Sequence, residues 1–111
     1  MCTAPHPPAR PGAAALAALV LVCATCAFQA GAADFFNGKR LYASYCEGCH
    51  GASGQGEMPG TPNFTRGKTL MRPDLSLYVQ IRDGKNAMPG FQGVLDENEI
   101  LDVITYIRSF Y

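Results

Sequence analysis

The run Cys46-Glu47-Gly48-Cys49-His50 constrains this chain more than any other feature. Two cysteines separated by two residues and followed directly by histidine form the pattern that attaches a c-type haem. The spacing has a physical reason. In one helical turn both thiols lie along one edge of a porphyrin, where each can add to a vinyl group, and the adjacent imidazole swings beneath the iron. Two other chemistries use paired cysteines. A thioredoxin-like redox pair has no need of the histidine, and structural zinc takes four ligands where Cys46, Cys49 and His50 offer three. The expected cofactor is one haem c, attached through Cys46 and Cys49, with His50 as an iron ligand.

The N-terminus reads as a leader. Residues 1 to 12 are proline-rich with Arg10 as their single basic residue, and Ala13 to Ala27 is apolar and uncharged. Ala30-Gly31-Ala32 and Gly31-Ala32-Ala33 then place small residues at the spacing a signal peptidase reads. The expected organisation is a cleavable secretory signal over residues 1–33 and a monohaem domain over residues 34–111, exported to a bacterial periplasm. A retained membrane anchor is the competing reading, since the chain is uncharged from Pro11 to Ala33. The second half of that run, however, is alanine, glycine and glutamine rather than leucine.

Cleavage simplifies the cysteine arithmetic. Cys2, Cys23 and Cys26 leave with the leader, and Cys23-Ala24-Thr25-Cys26 lacks a following histidine. Only the two haem thiols remain, so no disulfide is expected despite an oxidising destination. Eight of the nine basic residues and all nine acidic ones follow Ala33, a formal charge of −1. That balance argues against nucleic acid, which favours a basic surface. A domain this short buries only about 60% of its unfolded surface, and a covalently held apolar macrocycle is one way to staple it.

The pattern beyond Asp34 predicts an all-α fold of three or more helices around the haem. A first helix is expected from about Phe35 to Cys46, with Asp34 as N-cap and Phe35, Leu41, Tyr42 and Tyr45 as its apolar stripe. Gly38 inside it suggests close approach of another element. Glycines and prolines keep Gly51 to Thr69 irregular. A second helix fits Asp74 to about Arg82, opened by Pro73 and closed by Gly84. In the last, Asp96 and Glu99 have capping-box spacing, Leu95 and Ile100 form a staple, and Ile100, Val103, Ile104, Ile107 and Tyr111 share one face.

Counting histidines limits the second iron ligand. The chain has two, and His6 lies in the leader, so bis-histidine ligation is excluded for residues 34–111. Met58, Met71 and Met88 are the methionine candidates, beside an open site. Met58 follows His50 by eight residues, too few to cover a haem, whereas Met88 follows by 38, past a helix and the Gly84 turn. Pro89 biases Met88 to extended backbone. Met88 is the favoured ligand, and loop or core packing is assigned to Met58 and Met71.

From these residues the chain resembles the short bacterial monohaem class I cytochromes c. The resemblance rests on Gly38-x-x-Leu41-Tyr42, Cys46-x-x-Cys49-His50-Gly51, Pro62-Asn63-Phe64, the run Ile81 to Pro89 and the closing segment Ile100 to Phe110. It implies His50 and Met88 as axial ligands, and a Pro62 carbonyl accepting from His50 Nδ1–H. It also implies a crossing of the first and last helices at Gly38 and Tyr106. The chain departs from many members in having no tryptophan near a propionate. Arg66, Lys68 and Arg72 are basic groups that could substitute or simply be solvated.

The functional expectation is a monomeric periplasmic carrier of single electrons rather than an enzyme, meeting transient redox partners without nucleic acid or a membrane span. Leu41, Phe64, Leu75, Val79, Ile81 and Phe91 are candidates for the apolar wall of the haem, and Lys39, Arg40, Lys68 and Lys85 for a rim where a partner docks. Two alternatives stand beside it: a five-coordinate haem that binds small ligands or peroxide, and a tethered subunit of one oxidase or reductase.

Overall fold

Asp34 starts the first helix as its sequence position suggests. Its backbone is extended and its side chain accepts hydrogen bonds from the Phe36 and Asn37 amides, which opens α1 (Phe35–Tyr45). The computed structural model describes residues 31–111; the expected leader, save its last three residues, and the anchor alternative lie outside the described residues. Along α1 the buried positions are Gly38, Leu41 and Tyr42. Phe35 and Tyr45, expected in the same stripe, are exposed. They sit at the two ends of the helix and make ring-edge contacts, Phe35 with Phe36 at 5.6 Å and Tyr106 at 5.3 Å, and Tyr45 with Phe91 at 6.0 Å.

At Cys46 the helix shifts, and α2 (Glu47–His50) follows as a single turn. The Cys49 and His50 amides both donate to the Cys46 carbonyl, at 3.2 and 2.9 Å. The attachment motif is therefore one helical turn. A loop with a 3₁₀ turn at Phe64–Arg66 leads to α3 (Asp74–Asp83), which ends where Gly84 takes a φ of 78°. That positive φ favours glycine. A Cβ there would also lie 2.6 Å from the Gly90 nitrogen and 2.7 Å from the Met88 carbonyl.

The capping box of α4 (Glu97–Ile107) is complete, with Glu99 N–H donating to Asp96 Oδ1 at 2.9 Å and Asp96 N–H to Glu99 Oε2 at 3.0 Å. Leu95, Ile100, Val103, Ile104 and Ile107 are buried together in one core cluster with Leu41 and Tyr42. Tyr111 leaves the expected stripe and is 74% exposed. The 3₁₀ turn Arg108–Phe110 explains this: three residues per turn rotate the chain off the 3.6-residue face. Phe110 takes the inward place instead, 5.3 Å from Tyr42.

α1 and α4 cross at Gly38, where a Cβ would lie 2.0 Å from the Asp102 carbonyl oxygen and 3.1 Å from Tyr106 Cβ. The Asp102 side chain, buried in the crossing, accepts from Asp34 N–H at 2.6 Å and Asn37 Nδ2 at 2.7 Å. Arg108 fastens the loop before α3: its Nη2 donates to the Arg72 carbonyl at 2.8 Å, its Nη1 to the Leu70 carbonyl, and its Nε to Asp74 Oδ1 at 2.9 Å. The described residues hold four α-helices and isolated bridges but no strand. Among them no helix is long and apolar enough to cross a membrane.

Candidate functional site

A cavity of about 440 Å³ is lined by Cys46, Cys49 and His50, by the stretch Met58–Pro62, and by Gln80, Lys85–Pro89 and Phe91. Its volume falls in the ordinary range for ligand and cofactor sites. Three separate stretches of sequence thus meet, and each is placed by local structure. The helical turn of α2 presents the cysteines. The Gly51–Phe64 loop folds back as Gly56 N–H donates to the His50 carbonyl at 2.8 Å and Phe64 N–H to the Gly54 carbonyl at 2.7 Å. A short ladder holds the Met88 segment: Lys85 and Met88 exchange two backbone bonds of 3.0 Å, and Phe91 N–H reaches the Ile81 carbonyl at 3.0 Å.

His50 is buried and stacks on Phe64, with ring centroids 4.8 Å apart and planes at 14°. Burial pushes its imidazole below the ordinary histidine value, which favours the neutral form that binds metals. Its Nδ1 is buried with no hydrogen-bond partner. The bond expected from Nδ1–H to the Pro62 carbonyl is therefore not formed in this structure, although Pro62 does line the cavity. That carbonyl lies instead against Gly56, where a Cβ would meet it at 3.2 Å.

The two cysteines of the motif are not joined in a disulfide. Burial, and then the neighbouring Cys49, push the Cys46 thiol up to about 11. The α1 side of the motif is secured by Tyr42, whose hydroxyl donates to the Gly51 carbonyl at 2.7 Å. Among the described residues no group of three or more His, Cys, Asp or Glu side chains is arranged to hold a metal ion.

Met88 lines the cavity and is half-buried, and its Sδ accepts a hydrogen bond from Gln80 Nε2 at 3.9 Å. Met58 also lines the cavity. It is 48% exposed, and its amide donates to the Cys49 carbonyl at 3.2 Å, tying its backbone to the attachment turn. Met71 is exposed and lies outside the lining.

The expected apolar wall needs correction. Of its six candidates only Phe91 lines the cavity; Phe64 acts one layer behind, through the His50 stack, and Leu41 and Ile81 belong to the core. Leu75 and Val79 are exposed because they occupy the outer side of α3. Of the four basic rim candidates only Lys85 reaches the lining. Gln80 escaped the reading of the sequence. One uncharged amide in a mixed helix has no recognisable spacing, and only the fold sets it beside a methionine eight residues on.

The residues fit a covalently held haem. Two thiols in one turn, a buried imidazole whose burial favours its neutral form, and a thioether line one cavity, and the sulfur and imidazole donors suit iron.

Residues 33–107 match the family described as cytochrome C oxidase, cbb3-type, subunit III. The chain is 35% identical over 86 residues to cytochrome c6 of Nostoc sp. (strain PCC 7120), covering 68% of this chain and 70% of that one. Cytochrome c6 of Bumilleriopsis filiformis is 34% identical over 86 residues, covering 69% and 92%. A solved structure of cytochrome c6 from the diatom Phaeodactylum tricornutum superposes with a TM-score of 0.59 at 29% identity, covering 70% of this chain and 99% of that one.

Proposed function

The chain belongs to the monohaem class I cytochromes c of the cytochrome c6 type, and on that premise we propose an exported carrier in which His50 and Met88 would hold the haem iron. It transfers single electrons and holds one haem c through Cys46 and Cys49. When bound, that haem supplies a one-electron ferric/ferrous couple.

The remaining work falls to the chain. The α2 turn sets both thiols beside the cavity, and Phe64 holds the His50 ring by stacking on it. The Lys85–Met88 ladder fixes the Met88 backbone without its side chain. A soft, neutral thioether and an imidazole would together favour the ferrous state of the haem they hold. The observation on which this ligand pair rests is that His50 and Met88 line one cavity with both cysteines.

The oxidised optical spectrum tests it. A weak far-red sulfur-to-ferric-iron band is expected, lost in Met88→Ala and retained in Met58→Ala and Met71→Ala. A band that disappears in Met58→Ala instead transfers the role to Met58. High-spin features and carbon monoxide binding in the unaltered protein would favour the five-coordinate alternative. We propose release after Ala32 or Ala33, and a transient redox partner approaching near Lys85. The family description favours a second reading, service to a terminal oxidase as a subunit. The N-terminal mass of the purified protein separates a released domain from a tethered one.

A further inference from the structure

Arg72 stands outside the cavity lining, yet its guanidinium is linked to the cavity in two steps. Nη1 donates to Gln80 Oε1 at 2.6 Å, and Gln80 Nε2 donates to Met88 Sδ at 3.9 Å. A weaker contact of Nη2 with the Ser76 carbonyl at 3.4 Å, and the Arg108 bond to the Arg72 carbonyl at 2.8 Å, hold the arginine over α3.

The two ends of a glutamine amide match in shape and differ in polarity, so the neighbours decide which end faces which way. A guanidinium only donates, and it therefore holds Oε1 toward itself. The opposite end, the NH₂ group, is then turned to the sulfur. Polarisation along the chain strengthens the second bond at the expense of the sulfur lone pair. A thioether so engaged donates less to iron, and the more highly charged ferric state loses more by this than the ferrous state.

We propose that Arg72 is a positioning residue for Met88, acting through Gln80 to keep an N–H on the sulfur and so to raise the reduction potential. The proposal rests on Met88 as the iron ligand. It also gives Arg72 a role other than meeting a propionate.

Spectroelectrochemical titration of the haem-loaded protein tests it with Arg72→Met, Gln80→Leu and the double variant. Each single substitution should lower the potential, and the double variant should fall no further than Gln80→Leu alone. Arg72→Lys, which retains the charge but not the planar fork, should shift in the same direction as Arg72→Met. An unchanged potential in Arg72→Met overturns the proposal. So does a shift from Arg72→Met that is equally large with Gln80 intact and in the Gln80→Leu background, because the arginine would then act as a charge through space. The far-red band is recorded for every variant. Its absence from the unaltered protein removes Met88 as ligand and this proposal with it, whereas its presence beside an additive cycle removes only the role of Arg72. If Arg72→Met loses the band by misfolding, Arg72→Lys takes its place in the same cycle.

Discussion

The α1–α4 crossing and the Met88 segment are held together in opposite ways. At the crossing, side chains do the holding: Tyr42, Ile100 and Val103 are almost wholly buried, and Gly38 lets the helices touch. In the Met88 segment most side chains from Lys85 to Gly90 are exposed, and backbone bonds to Lys85, Ile81 and Arg82 supply the order. The first region is tied to residue size and tolerates little change. The second is set mainly by its backbone path, which suits a segment proposed to deliver one sulfur atom.

The largest expected effect comes from denying both regions the haem. A haem held in the cavity would cover its apolar lining, and a small domain has only about 5–15 kcal/mol of stability in all. Cys46→Ala/Cys49→Ala should therefore lose cooperative unfolding in urea. Amide exchange should show the Met88 segment losing protection before the crossing, and the reverse order breaks the contrast.

Gly38→Val comes next. Its branched side chain meets Asp102 backbone rather than a movable side chain, and a cost of about 3 kcal/mol is expected as the helices part. A lowered urea midpoint with an unchanged far-red band would confine the damage to the crossing. Asp102→Ala should cost about 2 kcal/mol, because it strands the Asp34 N–H and the Asn37 amide. Denaturation measures this too, and a neutral result would mean water replaces the carboxylate.

The smallest effect belongs to the other region. Asn86 has a φ of 54°, where asparagine is tolerated and a β-branched residue is strained. Asn86→Val should cost about 1 kcal/mol or somewhat more. Its signature is local: the far-red band should fade on warming well before global unfolding. Simultaneous loss would show that the segment and the crossing form one cooperative unit.

Particular residues show how far the fold could be read in advance. Asp34, Asp96, Glu99 and Gly84 act through neighbours within four positions, so their caps were legible from spacing alone. The α4 stripe was legible as far as Ile107, and failed at Tyr111 because a terminal 3₁₀ turn leaves no mark in an apolar pattern. Leu75 and Val79 misled because side-chain type says nothing about which face of α3 lies inward. Asp102 and the pair Arg72–Gln80 left no sequence signal, since their partners are set by helix crossing and loop return.

The sequence by itself determined the attachment chemistry, the histidine that belongs to its motif, the helical class and the caps. These depend on covalent spacing and on contacts within a turn, which are the same in any fold that keeps the turn. Tertiary structure alone decided that Met58 shares the cavity with Met88 and that His50 stacks on Phe64 with Nδ1 unpaired. It also decided that an arginine sixteen residues before Met88 reaches its sulfur through Gln80. Those relations join residues distant along the chain, and their distances exist only after burial of the crossing has fixed where the loops return.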